Sequence, residues 1–476
     1  MGTPASSAVG TAIPDAALGS ARRLIAPLAL AQFICSFAGS NMNVMISDIA
    51  ADLDTDVKGV QTVITMFLLT MAILMVPCSK LTDRWGRKRC FLWGLTLFGA
   101  GALISAVAPG IGVMLIGNSI LEGVGTALLI PPVYILATLW FTGTTQRAWA
   151  FGVISGLGGF GAAAGPLIGG VIATWIDWRA AFIFQALIVA IIVLLSRRLD
   201  DPLPAEPSRP FDLWGAILSA LGMFFVVLGI LQAGVNNALC IGLLVLGLVL
   251  LAAFFVYVRR LEQRGKEPLL STALFRNRVC NLALVTQNVQ WLIMMGTSFV
   301  VSVYLQEVHG YSPIKTGLIF TAATAGILIS SFRARVLAKR FSQRALISGG
   351  FLASLVGLAL MIPFVDSSER TIAFLVGLFA LGLGVGAMLT PSVNVVQSSF
   401  PEELQGEISG LSRSVSNLGS TFGTAIAGTI LVSAVALGNR SYTIAMVVIC
   451  GFGLIGLFAA LRLPAEADQQ RDPAPS

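Results

Sequence analysis

The chain has 476 residues, of which 56% are hydrophobic and only 11% are charged, and its mean hydropathy is +0.86. Because a soluble domain carries about 25% charged residues, this composition excludes an ordinary soluble protein and indicates an integral membrane protein. A net charge of +7 would suggest a nucleic-acid partner in a soluble protein, but here the positions of the basic residues explain it.

Few residues suit metal or disulfide chemistry. The six cysteines have no metal-ligand spacing and most lie in or beside apolar runs, so we expect reduced thiols that pack between helices. A single histidine, His309, excludes a histidine-rich metal site. We therefore expect neither a metal nor a cofactor. Residues 1–21 lack the basic start of a signal peptide and are expected to form a disordered cytoplasmic tail.

Fourteen stretches are long and apolar enough to cross a membrane, since a spanning helix needs about 20 mostly apolar residues. In chain order these candidate spans cover roughly residues 24–47, 60–79, 90–108, 112–139, 148–174, 179–196, 212–233, 238–258, 280–305, 314–332, 345–364, 371–397, 407–433 and 440–462. An even number of spans places both termini on the same side of the membrane.

Lysine and arginine decide which side that is. Of the 30 basic residues, 25 fall on the side of the termini, including Arg413 near the start of the thirteenth span. The other side has only Lys58, Arg179, Lys315, Arg370 and Arg440. Because basic loops stay in the cytoplasm, this bias predicts a multi-pass protein of the cell membrane with both termini cytoplasmic. The positive charge therefore reflects topology, and no nucleic-acid partner is expected.

Two long polar joints, 197–211 and 259–278, divide the spans into groups of six, two and six. Six plus six suggests two repeated helix bundles, and the middle pair suggests an insertion. The expected organisation is a tail over 1–21, an N-terminal bundle over 22–196, linkers and the inserted pair over 197–278, a C-terminal bundle over 279–462 and a second cytoplasmic tail over 463–476.

The loop after the second span reads "SKLTDRWGRKRCF", residues 79–91, with an aspartate among basic residues and a glycine for a tight turn. It resembles the signature loop of the major facilitator superfamily, G-x-L-A-D-R-x-G-R-K, although Ser79 and Thr82 replace the usual glycine and alanine. The resemblance implies a conformational latch between the bundles, formed by Asp83, Arg84, Gly86, Arg87 and Lys88. Taken alone, the same charges would also suit a cluster that only fixes topology.

The fifth span contains "GLGGFGAAAGPLIGG", residues 156–170. Glycines four residues apart share a helix face and let another helix approach closely, and the proline kinks the helix. The pattern resembles the antiporter motif of the exporter branches of the same superfamily and is carried by Gly161, Gly165, Pro166, Gly169 and Gly170. A general small-residue packing face is the alternative.

The six-two-six layout and both motifs resemble the fourteen-helix drug:proton antiporter branch, over about residues 22–462. The resemblance implies an all-α membrane protein with the major facilitator fold: two six-helix bundles plus two extra helices, fourteen transmembrane helices in all. Two charged positions linked to proton coupling in that branch are replaced. Ala38 stands for an aspartate and Ser119 for an arginine, while Glu122 stands for a glutamine.

Glu122 is the only carboxylate deep within a predicted span. A charge there costs on the order of 3 kcal/mol, so we expect the side chain to be neutral part of the time and to be a proton-coupling candidate. Asn118, Ser119 and Thr126 share its helix face and predict a stripe that faces a cavity. Glu122 could instead contact a cationic substrate, or be permanently protonated and hold helices together.

Other polar and soft side chains in the spans are cavity or substrate candidates, because apolar and aromatic walls with a few polar groups suit amphipathic ligands. Packing between helices is an equal alternative for each of them. They are Gln32, Asn41 and Asn43 in the first span, Gln287, Gln290, Trp291 and Met294 in the ninth, and Asn394 in the twelfth.

Together these features predict a monomeric secondary active exporter of amphipathic organic compounds, cations among them, that works by proton antiport and alternating access in the lipid bilayer. No phosphate-binding loop for ATP and no soluble enzymatic domain are present in the sequence. Three alternatives stay open: a dedicated exporter of one metabolite, lipid or natural product; an uncoupled facilitator; and a non-transporting membrane sensor or scaffold.

Overall fold

A computed structural model of the chain describes residues 15–141, 144–197, 199–208, 210–337, 340–364, 371–400, 405–434 and 437–464. Within these residues, fourteen helices are long and apolar enough to cross a membrane, which confirms the predicted number. We label them α1 to α14.

The N-terminal six begin with α1, Asp15–Asn41, which continues through a 3-10 turn, Met42–Met45, into Ile46–Asp52. The fourth, α4, starts as Ile111–Met114, passes through a π-helical segment, Leu115–Glu122, and ends as Gly123–Trp140. The others are α2 Val57–Trp85, α3 Arg87–Ala106, α5 Thr144–Trp175 and α6 Trp178–Ser196.

The remaining eight begin with the inserted pair, α7 Leu213–Gln232 and α8 Asn237–Gln263. Helix α9, Arg278–Val303, ends in a π-helical segment, Tyr304–Val308. The last five are α10 Pro313–Leu337, α11 Gln343–Met361, α12 Thr371–Ser398, α13 Gln405–Ser433 and α14 Arg440–Leu461.

The observed helix ends differ from the predicted ones where polar residues extend a helix beyond its apolar run. Helix α2 starts at Val57 rather than near residue 60, because the Asp56 carboxylate accepts a hydrogen bond from the Gly59 backbone N–H. Helix α1 starts at Asp15, so the last residues of the predicted N-terminal tail are helical. Residues 1–14 and 465–476, most of the two predicted tails, lie outside the described part of the chain.

Glycines bring the helix backbones into contact and define the helix directions. A Cβ on Gly94 would lie 2.8 Å from the carbonyl oxygen of Gly125, and one on Gly101 would lie 2.5 Å from that of Gly117. As the chain advances along α3 it therefore meets earlier residues of α4, so the two helices are antiparallel. We call the end at which α1 begins the near end, and the opposite end the far end.

The helices form the expected two six-helix bundles with the inserted pair beside them. Helices α1–α6 pack together, as do α9–α14, and the bundles meet along two seams, α2 against α13 and α5 against α10. Helices α7 and α8 pack on each other, and α7 also contacts both α2 and α13. The insertion therefore covers one seam from the outside.

The α2/α13 seam is in contact along its whole length. The Gln61 side chain donates to the carbonyl of Ala425 (3.2 Å) in the far half, and the Ser414 hydroxyl donates to the carbonyl of Ala72 (2.5 Å) in the middle. At the near end, Lys80 of α2 and Glu407 of α13 form an ion pair. The α5/α10 seam differs, and its contacts are part of the site described next.

Candidate functional site

Glu122 lies at the end of the π-helical segment of α4 and is fully buried. One carboxylate oxygen accepts a long hydrogen bond from the Ser105 hydroxyl of α3 (3.5 Å), and the other has no partner of acceptable geometry. A Cβ on Gly101 would lie 2.9 Å from Cγ of Glu122, so α3 presses directly on this side chain. No lysine or arginine among the described residues forms an ion pair with Glu122.

The polar stripe around Glu122 faces the interior of the N-terminal bundle. Ser119 donates to the carbonyl of Val63 in α2 (2.8 Å), and Thr126 donates to the backbone carbonyl of Glu122 (2.8 Å). Asn118 is fully buried beside the carboxylate, and its amide makes no hydrogen bond of acceptable geometry. All four residues are buried, but in this conformation they meet α1, α2 and α3, with Cys35 of α1 beside Thr126 and Glu122, rather than the predicted cavity.

The π-helical segment was not foreseen from the sequence. A π-helical turn leaves an irregular hydrogen-bond ladder and is common at functional sites. Here it spans Leu115–Glu122 where α3 comes within backbone contact of α4, with Gly117 against Ser105. Because tertiary packing shapes this turn, the local sequence carries no clear signal for it.

The glycines of the α5 motif contact two different helices. A side chain on Gly161 would collide with the carbonyl of Phe33, and one on Gly165 with the Ser40 hydroxyl, both on α1. A Cβ on Gly169 would lie 3.1 Å from Cβ of Asn41, the next turn of α1. Gly170 instead faces the backbone of Pro313 in α10, so the motif packs within its own bundle and against the other one.

Contacts across the α5/α10 seam are concentrated toward the far end. Thr324 of α10 donates to the carbonyl of Ala163 (2.6 Å), and Ile314 donates its N–H to Thr174 (3.0 Å). Between described residues, every hydrogen bond across this seam lies in the far half of α5. In the near half, Cβ atoms on Gly156 and Gly159 would meet nothing within 4 Å.

The break in α1 is held by the other bundle. The carbonyl of Asn43 accepts hydrogen bonds from the Ser302 hydroxyl and from the Gln306 amide of α9, the latter at 2.9 Å. The Gln306 oxygen in turn accepts the N–H of Ser47 (3.1 Å). Gln306 thus joins the 3-10 turn and the helix after it to the other bundle in the far half, a role that the sequence did not indicate. The predicted candidate Asn41, beside this turn, is fully buried with an amide that lacks a partner.

The loop between α2 and α3 contacts the linker that leads to α7. Gly86 has φ of +93°, which favours glycine, and Arg87 donates to the carboxylate of Asp83 (3.1 Å). Asp201 of the linker accepts the backbone N–H groups of Arg87 (2.7 Å) and Lys88 (3.2 Å). Beside this loop, Lys80 of α2 and Glu407 of α13 form the ion pair between the bundles noted above.

Two of the five candidates in the C-terminal bundle form hydrogen bonds inside that bundle. Gln287 accepts from Ser412 of α13 (2.8 Å), and Gln290 accepts from Ser392 of α12 (3.1 Å). Met294 is also buried, whereas Trp291 is half-buried and Asn394 is exposed. Some of these residues therefore pack inside the bundle and others reach accessible surface, so they do not line a single cavity together.

A polar group that the sequence analysis missed joins the two bundles. Arg413 of α13 contacts the hydroxyl of Tyr134 of α4, with its guanidinium carbon 4.9 Å from the ring centre. The Tyr134 hydroxyl donates to Gln32 of α1 (3.3 Å). We call these three residues the Arg413 cluster. The charge of Arg413 fits the topology pattern, but a lone arginine inside a Gly/Ser-rich span is a sequence signal for a further role.

Comparisons with known proteins give a matching family and several similar proteins that are named for drug resistance. The sequence model of the Major Facilitator Superfamily matches residues 28–277 and 283–476. The puromycin resistance protein pur8 of Streptomyces alboniger is 29% identical over 411 residues, which cover 85% of this chain and 81% of that protein. The multidrug resistance protein Stp of Mycobacterium tuberculosis is 29% identical over 400 residues, 82% of this chain and 72% of that protein.

Solved structures share the fold at low sequence identity. The peptide transporter POT in complex with alafosfalin superposes with a TM-score of 0.67 and 17% identity, covering 92% of this chain and 94% of that one. This match supports the same helical architecture and says nothing about the substrate of this chain.

Proposed function

This chain belongs to the Major Facilitator Superfamily, and we propose that it is a secondary active exporter of amphipathic organic compounds driven by inward proton flow. The family predicted from the loop and fifth-span motifs is thereby confirmed, and the chain is a multi-pass membrane transporter. Export is supported by the relatives named for drug resistance and by the α5 glycines packed against α1 and α10.

The observation that carries the proton-antiport proposal is the state of Glu122. It is fully buried, it accepts one long hydrogen bond, and no basic residue in the described structure pairs with it. A charged carboxylate in such a place costs several kcal/mol, whereas a protonated one does not. Glu122 therefore holds a proton in this conformation. It releases that proton when α3 and α4 shift and water reaches the carboxylate.

Transport proceeds by rocking of the two bundles about their seams. In this conformation the far end is closed by Gln306 on the α1 break and by the α5/α10 contacts, while the near half of α5 is free of α10 at its glycines. In the near half, Lys80 with Glu407 and Arg413 with Tyr134 still join the bundles. With the near end cytoplasmic, as the basic residues predict, the looser near half of α5 supports entry of substrate from the cytoplasm once these contacts part. We propose a cell-membrane location with both termini cytoplasmic, and a monomer as the working unit.

A drug-susceptibility panel in a pump-deleted bacterium tests this function. Cells that express the wild-type chain are expected to tolerate higher concentrations of several amphipathic compounds, and cells that express Glu122→Gln are expected to match the empty strain. Asp48→Asn is the matched control, because Asp48 is a half-buried carboxylate near the far end of α1. No change in tolerance to any compound with the wild-type chain would contradict the exporter proposal.

A dedicated exporter of one compound is the second candidate. It is favoured by the relative pur8, whose name refers to a single antibiotic. Resistance to one chemical family alone in the same panel would select it over a multidrug exporter. Resistance that does not depend on a pH gradient would select an uncoupled facilitator, the alternative raised by Ala38 and Ser119.

A further inference from the structure

Arg413 lies inside a membrane span, in the near half of α13. Helix α13 begins at Gln405, so Arg413 is eight residues into the helix, about 12 Å along its axis at 1.5 Å per residue. A cation at such a depth is costly and usually faces a polar cavity or a partner. In the described structure no carboxylate forms an ion pair with Arg413.

The face of α13 that carries Arg413 is fixed by its neighbours. Ser414 donates to the carbonyl of Ala72 of α2, and Gly410 packs on Ser79 of the same helix. Arg413 therefore projects beside this seam, toward α4, where it meets Tyr134. Its side chain comes from one bundle and its partners from the other, so it lies at the junction around which the bundles move.

The Arg413 cluster combines a cation, a hydroxyl and an aromatic wall. Both Arg413 and Tyr134 are half-buried, so the guanidinium reaches accessible space rather than a sealed core. Tyr134 stacks on Phe151 of α5, with ring centres 5.6 Å apart. Gln32 is largely buried against Gly158 and orients the Tyr134 hydroxyl.

We propose that the Arg413 cluster recognises the acidic group of an amphipathic organic anion, so that the exported compounds carry a carboxylate, phosphate or sulfonate. This inference rests on the proposed exporter function and names its substrate class. A guanidinium has five N–H donors and binds planar carboxylates and phosphates in a two-pronged manner. An anionic ligand compensates the unpaired charge, and the aromatic pair Tyr134 and Phe151 accommodates its apolar part.

The cluster is separate from the proposed proton site. Tyr134 is 12 residues beyond Glu122 on α4, about 18 Å along the helix axis. Glu122 is sealed within the N-terminal bundle, whereas Arg413 reaches across from α13. An anion at the cluster would therefore not contact the proton-carrying group, and the two functions can be changed independently by mutation.

Equilibrium binding to the purified chain tests the proposal without requiring transport. The probes are fluorescein, an anion at pH 7.5, and tetramethylrhodamine methyl ester, a cation with the same xanthene scaffold; both are followed by fluorescence polarisation. Arg413→Gln is expected to weaken fluorescein binding at least about tenfold, as loss of a charge-assisted hydrogen bond does, and to leave or improve cation binding. Arg413→Lys, which keeps the charge, should retain part of the affinity.

The matched control is Arg462→Gln, which removes an exposed arginine at the end of α14, away from both seams. Its fluorescein affinity should equal that of the wild type. Equal losses for both probes in Arg413→Gln would mean that the arginine only holds the bundles together, and would overturn the proposal. Unchanged fluorescein binding, or no measurable fluorescein binding by the wild type, would overturn it as well.

Transport separates this inference from the exporter proposal. Acid-inside inverted vesicles with the membrane potential clamped are expected to take up fluorescein with the wild type and far less with Arg413→Gln. Uptake of the cation but not of fluorescein by the wild type would leave the exporter proposal intact and reject the anion site. Specific binding of fluorescein without uptake of either probe would support the site and count against export of such compounds.

Discussion

Among the described residues, Glu122 and Arg413 are ionisable side chains inside membrane spans, and their surroundings are opposite. Glu122 is sealed inside the N-terminal bundle, with one long hydrogen bond from Ser105 of α3, Cys35 of α1 nearby, and no ion pair with a described lysine or arginine. Arg413 is half-buried at the junction of the bundles, with Tyr134 of the other bundle in contact. The N-terminal bundle thus contains a carboxyl group that water does not reach, whereas the C-terminal bundle carries a cation that water can reach.

The difference shows two ways in which a membrane protein tolerates an ionisable group. A carboxylate from which the surrounding helices exclude water avoids the cost of its charge by taking up a proton. A guanidinium stays protonated in proteins, so it must keep contact with water, aromatic rings or an anion. On this account the sealed group serves the proton and the accessible group serves the substrate.

The largest effect is expected from Glu122→Gln. Glutamine has nearly the shape of protonated glutamic acid but cannot release a proton, so proton-driven efflux should fall to the background of the pump-deleted cells. Measured by efflux of a preloaded substrate, Asp48→Asn should remain near the wild type. Expression and thermal stability of Glu122→Gln should be unchanged, since the variant keeps the neutral form that the buried site favours.

Full coupled efflux by Glu122→Gln would mean that the glutamate is permanently protonated and only joins helices. Glu122 and Arg413 would then differ in how they pack, and Glu122 would have no role in carrying a proton.

The second prediction is that the proton and the substrate bind at separate sites, Glu122 and the Arg413 cluster. Because about 18 Å of helix separates Tyr134 from Glu122, Glu122→Gln should leave fluorescein affinity within about twofold of the wild type, while Arg413→Gln lowers it at least about tenfold. Fluorescence polarisation on the two purified variants makes this comparison. Equal loss in both variants would show that proton and substrate share one site.

A smaller effect is expected from the glycine face that holds α5 against α1. A methyl group on Gly161 would collide with the carbonyl of Phe33, so Gly161→Ala should destabilise the chain by about 1–3 kcal/mol and lower its thermal transition. Gly159→Ala, two residues away, would meet nothing within 4 Å and should melt like the wild type. Equal melting of the two variants in detergent would refute the close packing assigned to the motif.

The smallest effect is expected at the loop between α2 and α3. Asp83→Asn removes the charge that Arg87 contacts, while the backbone carbonyl of Asp83 still accepts the N–H of Glu206 from the linker. Because this pair is partly exposed, we expect turnover to slow by only a few-fold and substrate affinity to remain. Initial rates and equilibrium binding measured on the same preparation distinguish these quantities. Turnover at the wild-type rate would argue that the loop charges only fix topology.

The helix count could be predicted because hydropathy extends over whole spans, and the family because the loop and fifth-span motifs are local sequence patterns. The π-helical turn at Glu122 and the 3-10 turn in α1 could not, because helices packed from elsewhere in the chain shape them. The polar residues around Glu122 are buried together, but their spacing alone does not distinguish the interior of a bundle from a cavity. Arg413 was misjudged because charge was counted by side of the membrane and not by depth in the helix.

The most direct test of the central claim is transport by purified chain in proteoliposomes, using the compound to which it confers the largest resistance. Driven uptake is measured after an acid interior is imposed, and exchange is measured with the same compound on both sides and no gradient. The account predicts that the wild type does both, whereas Glu122→Gln exchanges at nearly the wild-type rate and shows no driven uptake. Driven uptake by Glu122→Gln at the wild-type level would contradict it.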